Sequence, residues 1–115
     1  MTGSAGNFIE INGQSFATDG HGYLRDRSVW TEAIAEQLAA REGIVLTAEH
    51  WQVIRYVRAF YDEFQSSPAI RPLVKYLAQH WGPEKGNSLY LHTLFKEPAK
   101  QASKIAGLPK PARCI

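Results

Sequence analysis

A chain of 115 residues, 44% hydrophobic and 21% charged, suits one domain that folds without disulfides or metals. Its single cysteine excludes an internal disulfide, and no apolar stretch is long enough for a bilayer span or an export signal, which points to a reducing, cytoplasmic setting. The net charge of +2 is uneven: from Lys96 onward five basic residues stand against Glu97 alone, a local excess of +4, while the rest carries eight basic and ten acidic residues. A basic tail is either a solvated segment or one that meets acidic protein surfaces or RNA.

Residues 1–6 read as a disordered leader, with no charged n-region and no apolar run. Phe8–Ile11 and Gln14–Thr18 alternate in polarity around Asn12-Gly13, a pair that tolerates positive φ, so a β-hairpin is expected. Asp19 to Gly22 is a further turn, and Tyr23-Leu24 is a candidate third strand. The remainder reads as helices. Thr31 caps the first, which buries Ile34 and Leu38 and stops at Gly43. Thr47 caps the second, expected to be the central packing element, with Trp51, Ile54, Val57, Tyr61 and Phe64 on its buried face. Pro68 is expected at the first position of the third, with Ile70, Leu73, Val74, Leu77 and Trp81 inward and Gly82-Pro83 closing it. A fourth helix runs from Ser88 to Phe95. A fifth opens at Pro98, continues through Ala106 and ends at Gly107.

The fold class is thus mainly α with a small β part: a compact bundle of about five helices, an N-terminal hairpin and a flexible C-terminal arm. The expected division is one domain over 1–107 and a mobile arm over 108–115. Pro109 and Pro111 exclude a helix there and favour extended backbone. Seven residues separate Gly107 from Cys114, a span of roughly 20 Å at polyproline rise.

Cys114 is the first candidate for chemistry. Sulfur transfer needs a thiolate that attacks a persulfide and then offers the sulfur to the next acceptor, reaching two partner sites in turn. A cysteine one residue from the end of a stiff arm meets that need. Lys110 and Arg113 favour its thiolate, and the terminal carboxylate of Ile115 opposes them. An incidental tail cysteine is the plain alternative. His21, His50, His80 and His92 show no metal-ligand spacing, and Glu32, Glu36, Asp62 and Glu63 form no recognisable catalytic pair. Neither a metal nor a cofactor is expected. The helices around Ser66-Ser67-Pro68 also fit a helix-turn-helix, but the second offers only Arg71 and Lys75 as cations, fewer than a DNA reader usually displays.

From Phe8 to Ile115 the sequence resembles the TusE/DsrC family, and its TusE branch in particular. The resemblance is carried by Gly22-Tyr23-Leu24, Leu46 to Trp51, Ser67 to Arg71, Lys85 to Ser88 and Pro98 to Ala102. It is most specific in Lys104 to Pro111 followed by Cys114-Ile115. Two-cysteine members carry a second cysteine eleven residues before the penultimate one; here that position is Ser103, and an alcohol cannot form the second sulfur bond. The family commonly reads Phe-Pro-x-Gly-Pro-Ala-Lys before the last helix, whereas Phe95 to Lys100 is one residue shorter.

The resemblance implies a sulfurtransferase that accepts sulfane sulfur from a TusBCD-like complex as a persulfide on Cys114. It would pass that sulfur to an MnmA-like thiolase, with tRNA bound, for 2-thiolation of the wobble uridine. Lys104, Lys110 and Arg113 would then steer docking, with Arg71 and Lys75 as a further docking face, and the protein is expected to act as a monomer away from membranes. The alternative is a single-cysteine, DsrC-like interaction or regulatory protein of sulfur metabolism, with DNA binding through the helix-turn-helix.

Overall fold

The computed structural model describes residues 7–111. β1 (Phe8–Ile11) and β2 (Gln14–Ala17) pair antiparallel, Ile9 opposite Phe16 and Ile11 opposite Gln14. Asn12 and Gly13 take φ of 52° and 81°, the left-handed pair that a two-residue hairpin turn demands. The expected third strand shrinks to one antiparallel bridge, Thr18 to Leu24. The turn before it is fixed by the Asp19 carboxylate, which accepts from the backbone N–H of His21 at 2.8 Å and of Tyr23 at 3.0 Å.

After a short 3-10 turn at Arg27–Val29, the described residues form five α-helices. They are α1 (Glu32–Arg41), α2 (Ala48–Phe64), α3 (Ile70–His80), α4 (Ser88–Leu94) and α5 (Pro98–Ile105). Thr31 caps α1 and Asn87 caps α4 through side-chain oxygens that take up orphan N–H groups. At α2 the cap is reciprocal: Thr47 Oγ1 accepts from His50 N–H, and His50 Nδ1 lies 3.0 Å from the Thr47 backbone nitrogen. His50 Nε2 sits 2.9 Å from the Leu94 carbonyl, so this buried histidine ties α2 to α4 and is fully occupied.

Three expectations are corrected. α3 begins at Ile70, two residues after Pro68; Pro68 is buried ahead of it, and Pro72 takes the third helical position, where a missing N–H costs nothing. Phe64 remains 52% exposed at the last position of α2, stacked on Phe60 with ring centroids 4.6 Å apart. The central element is α5, not α2: α5 packs on α1, α2, α3 and α4 alike. Its residues explain this. Ala99, Ala102, Ser103 and the capping Ala106 are small enough for four neighbours to approach, and Ile105 is wholly buried among them. Leu38, Val53, Ile54, Val57, Leu73, Leu77 and Leu91 close the core around α5.

Candidate functional site

The site is the root of the C-terminal segment, where α5 ends. Gly107, at φ 76°, closes α5 in a Schellman arrangement: its N–H donates to the Lys104 carbonyl and the Leu108 N–H to the Ser103 carbonyl, each at 3.0 Å. This motif turns the chain back toward the helix and drives the next apolar residue inward. Leu108 is accordingly only 2% exposed and belongs to the hydrophobic core.

Side chains from distant elements hold the neighbouring carbonyls. Trp30 Nε1–H donates to the Ile105 carbonyl at 2.8 Å, and Arg58 Nη1 donates to that of Ala106 at 2.7 Å. Ser67 Oγ donates to the Pro109 carbonyl at 2.5 Å. Arg58 also lies 4.0 Å from the centre of the Trp30 ring, a cation–π contact that fixes both groups. Burial lowers the proton affinity of Arg58, and Asp62 acts against that shift. The Trp30 ring covers Gly107 so closely that a Cβ there would come within 2.4 Å of Cδ1.

The segment expected to leave the body at Leu108 therefore stays with it at least through Pro111, which is buried. The reason is local: the residue after a Schellman glycine is a favoured apolar anchor, and leucine fills it here. Leu108 borders a cleft of about 330 Å³ with Arg27, Arg58, Tyr61 and Asp62. Lys110 borders another of about 130 Å³ with His21, Tyr23, Glu42, Lys100 and Lys104. Arg113 and Cys114 lie outside the described residues.

Lys104, expected to steer docking, is instead built into the body. Its Nζ lies 3.1 Å from Glu42 Oε2 and 5.0 Å from the Tyr23 ring centre, and its side chain is 15% exposed. Lys110 is exposed, as are Arg71 and Lys75 on α3, so these three remain candidates for contact with a partner. Ser103 is completely buried on α5, and its Oγ has no hydrogen-bond partner among the described residues. No group of three or more His, Cys, Asp or Glu able to hold a metal occurs among the described residues, and none of their helices is long and apolar enough to cross a membrane.

Burial pushes the Glu42 carboxyl up, but hydrogen bonds from Gln101 and Lys104, with the Lys104 charge, outweigh it and hold the group below its usual 4.5. A carboxyl depressed on folding stabilises the protein above its unfolded pKa and loses that contribution as pH falls through the folded one. Glu42→Gln should thus cost about 1 kcal/mol at neutral pH, and the difference from wild type should shrink as pH falls through the lowered pKa of the folded carboxyl. Urea unfolding across pH checks this; a difference independent of pH contradicts it.

The family described as "DsrC like protein" matches residues 10–115 of this chain. The chain belongs to that family. Among its relatives are the "Sulfurtransferase TusE" of Pectobacterium atrosepticum, 61% identical over 93% of this chain and 99% of the relative, and that of Yersinia pestis, 60% identical over the same shares. Among solved structures, the DsrC of Allochromatium vinosum has a TM-score of 0.86 at 44% identity, covering 95% of this chain and 98% of its own. The oxidized γ-subunit of the dissimilatory sulfite reductase (DsrC) of Archaeoglobus fulgidus has a TM-score of 0.79 at 37% identity, covering 94% and 99%.

Proposed function

We propose that this chain is a sulfurtransferase of the TusE type that relays sulfane sulfur as a persulfide on Cys114. The observation that carries the reading is a single cysteine, one residue from the end, in a chain alike over nearly its whole length to proteins named sulfurtransferase TusE. Ser103 supports it, because a buried hydroxyl cannot supply a second sulfur partner.

The chemistry balances without an external oxidant or reductant. The Cys114 thiolate attacks the outer sulfur of a donor persulfide; a new S–S bond forms, the donor's S–S bond breaks, and the donor leaves as a thiolate. A thiolate on the acceptor then attacks the outer sulfur of the Cys114 persulfide and releases Cys114 as thiolate. The donor is a TusBCD-like complex in the cytoplasm, and the acceptor an MnmA-like thiolase that delivers the sulfur to the wobble uridine of tRNA. Lys110 and Arg113 favour the anionic sulfur.

Two residues separate Pro111 from Cys114, so with Pro111 seated the Cys114 backbone reaches no farther than about 11 Å from it. Both partners must therefore bring their sulfur sites up to the body of the protein. Intact-mass measurement after incubation with a cysteine desulfurase and the donor complex tests the reading. A gain of one sulfur atom, about 32 Da, localised to Cys114 is expected. The absence of any adduct on a chain whose thiol is reduced and alkylatable refutes it.

A further inference from the structure

Between α3, α4 and the start of α5 lies a groove with a charge pattern of its own. Two clefts of about 230 and 390 Å³ share Ile70 in their lining. The first is lined by Pro98 and Ala99 of α5 with His92 and Lys96; the second by Val74 of α3 with Arg71, Lys75 and Ser88. The groove thus has an apolar floor between cations. Among the described residues Glu97 is the one carboxylate lining it, and Glu97 is held by Lys100 at 3.3 Å. Arg71, Lys75 and Lys96 form no ion pair among the described residues. Leu89, 79% exposed, stands on α4, the helix that carries Ser88 and His92.

We infer that this groove is a docking site for an acidic amphipathic helix on a partner protein of the relay. Charge complementarity and shape together select this occupant. An apolar floor flanked by unpaired cations matches a helix with leucine-like residues on one face and carboxylates beside them. Arg71 and Lys75 stand one turn apart on α3, about 6 Å along the axis, the spacing of two carboxylates four residues apart on a facing helix. A phosphate backbone would meet the cations but leave the apolar floor uncovered.

The groove's position suits this use. Ile70 follows Ser67, which holds Pro109, by three residues, no more than about 10 Å of backbone. A helix seated there would fix its protein next to the arm's root, so that a short-reaching thiol meets the partner's sulfur at high effective concentration. The inference rests on the relay reading for its choice of partner, but its test makes no use of the thiol, so the two stand or fall separately.

The test is an NMR titration of the full chain, Cys114 reduced, with a synthetic acidic peptide of about four helical turns, leucine on one face and glutamate flanking it. Saturable shifts centred on Ile70, Val74, Ser88 and His92 are expected. Affinity should fall about tenfold for the lysine-flanked counterpart peptide, and likewise for the chain carrying Arg71→Glu and Lys75→Glu. No saturable shift, shifts centred elsewhere, or equal affinity for the two peptides would overturn the inference. So would groove resonances that already move with protein concentration alone, which assigns the groove to a second copy. Groove resonances that move on Ile115→Gly without peptide assign it to the chain's own end and overturn it equally.

Discussion

Cys114→Ser should abolish sulfur acceptance, with transfer falling at least about a hundredfold, to background. The substitution removes the one sulfhydryl in the chain and leaves a hydroxyl that neither ionises near neutrality nor forms a perthiol. Stability should change little, because among the described residues every member of the core cluster lies within Ile9 to Leu108. The variant should therefore bind its partners yet fail to restore 2-thiouridine in cells lacking the wild-type protein. Liquid chromatography of tRNA nucleosides reads the outcome, and thermal unfolding checks the fold. Undiminished thiolation with the serine variant as the sole copy would mean that sulfur takes another route.

The second large effect is expected at the arm's root. Gly107→Ala places a Cβ at a backbone φ of 76° and within 2.4 Å of the Trp30 ring. The left-handed conformation alone costs a non-glycine residue about 1–2 kcal/mol, and overpacking a fixed ring adds about 1–3 kcal/mol. Trp30 has little freedom to yield, since its Nε1–H is bonded to Ile105 and its face to Arg58. A loss of about 2–5 kcal/mol is expected in urea unfolding. At temperatures where the variant stays folded, the re-aimed root should also slow sulfur transfer to the acceptor. A loss below about 1 kcal/mol would show that the close packing of Trp30 on Gly107 is not what seats the segment.

The elements legible in the sequence are those whose causes are local. Asn12-Gly13 specifies its turn within two residues, and Thr31 and Thr47 cap the N–H groups that follow them directly. The end of α5 at Gly107 is legible for the same reason, and the apolar Leu108 behind it marks where the chain turns inward. What the sequence hides is the meeting of distant residues. α5 is central because alanines and a serine leave room for four helices, a fact about its neighbours as much as itself. Trp30, Arg58 and Ser67 converge on the carbonyls of residues 105, 106 and 109 from three separate elements, and no spacing along the chain marks them.

The same distinction applies to charge. Lys104 and Lys110 look equivalent in a basic tail, yet Lys104 is committed to Glu42 and Tyr23 while Lys110 faces solvent. On α3, Arg71 and Lys75 are exposed as expected, but they border an apolar groove that also draws on α4 and α5. Neither the pairing of Lys104 nor the sharing of Ile70 by the two clefts can be read from one helix alone.

The relay itself is tested most directly by loading Cys114 with radiolabelled sulfur, removing the donor, and mixing the loaded chain with the acceptor enzyme, ATP and unmodified tRNA in a single turnover. The account predicts that label leaves Cys114 and enters 2-thiouridine with no donor present. Label that stays on Cys114 while the acceptor, given fresh donor, thiolates tRNA with unlabelled sulfur would contradict it.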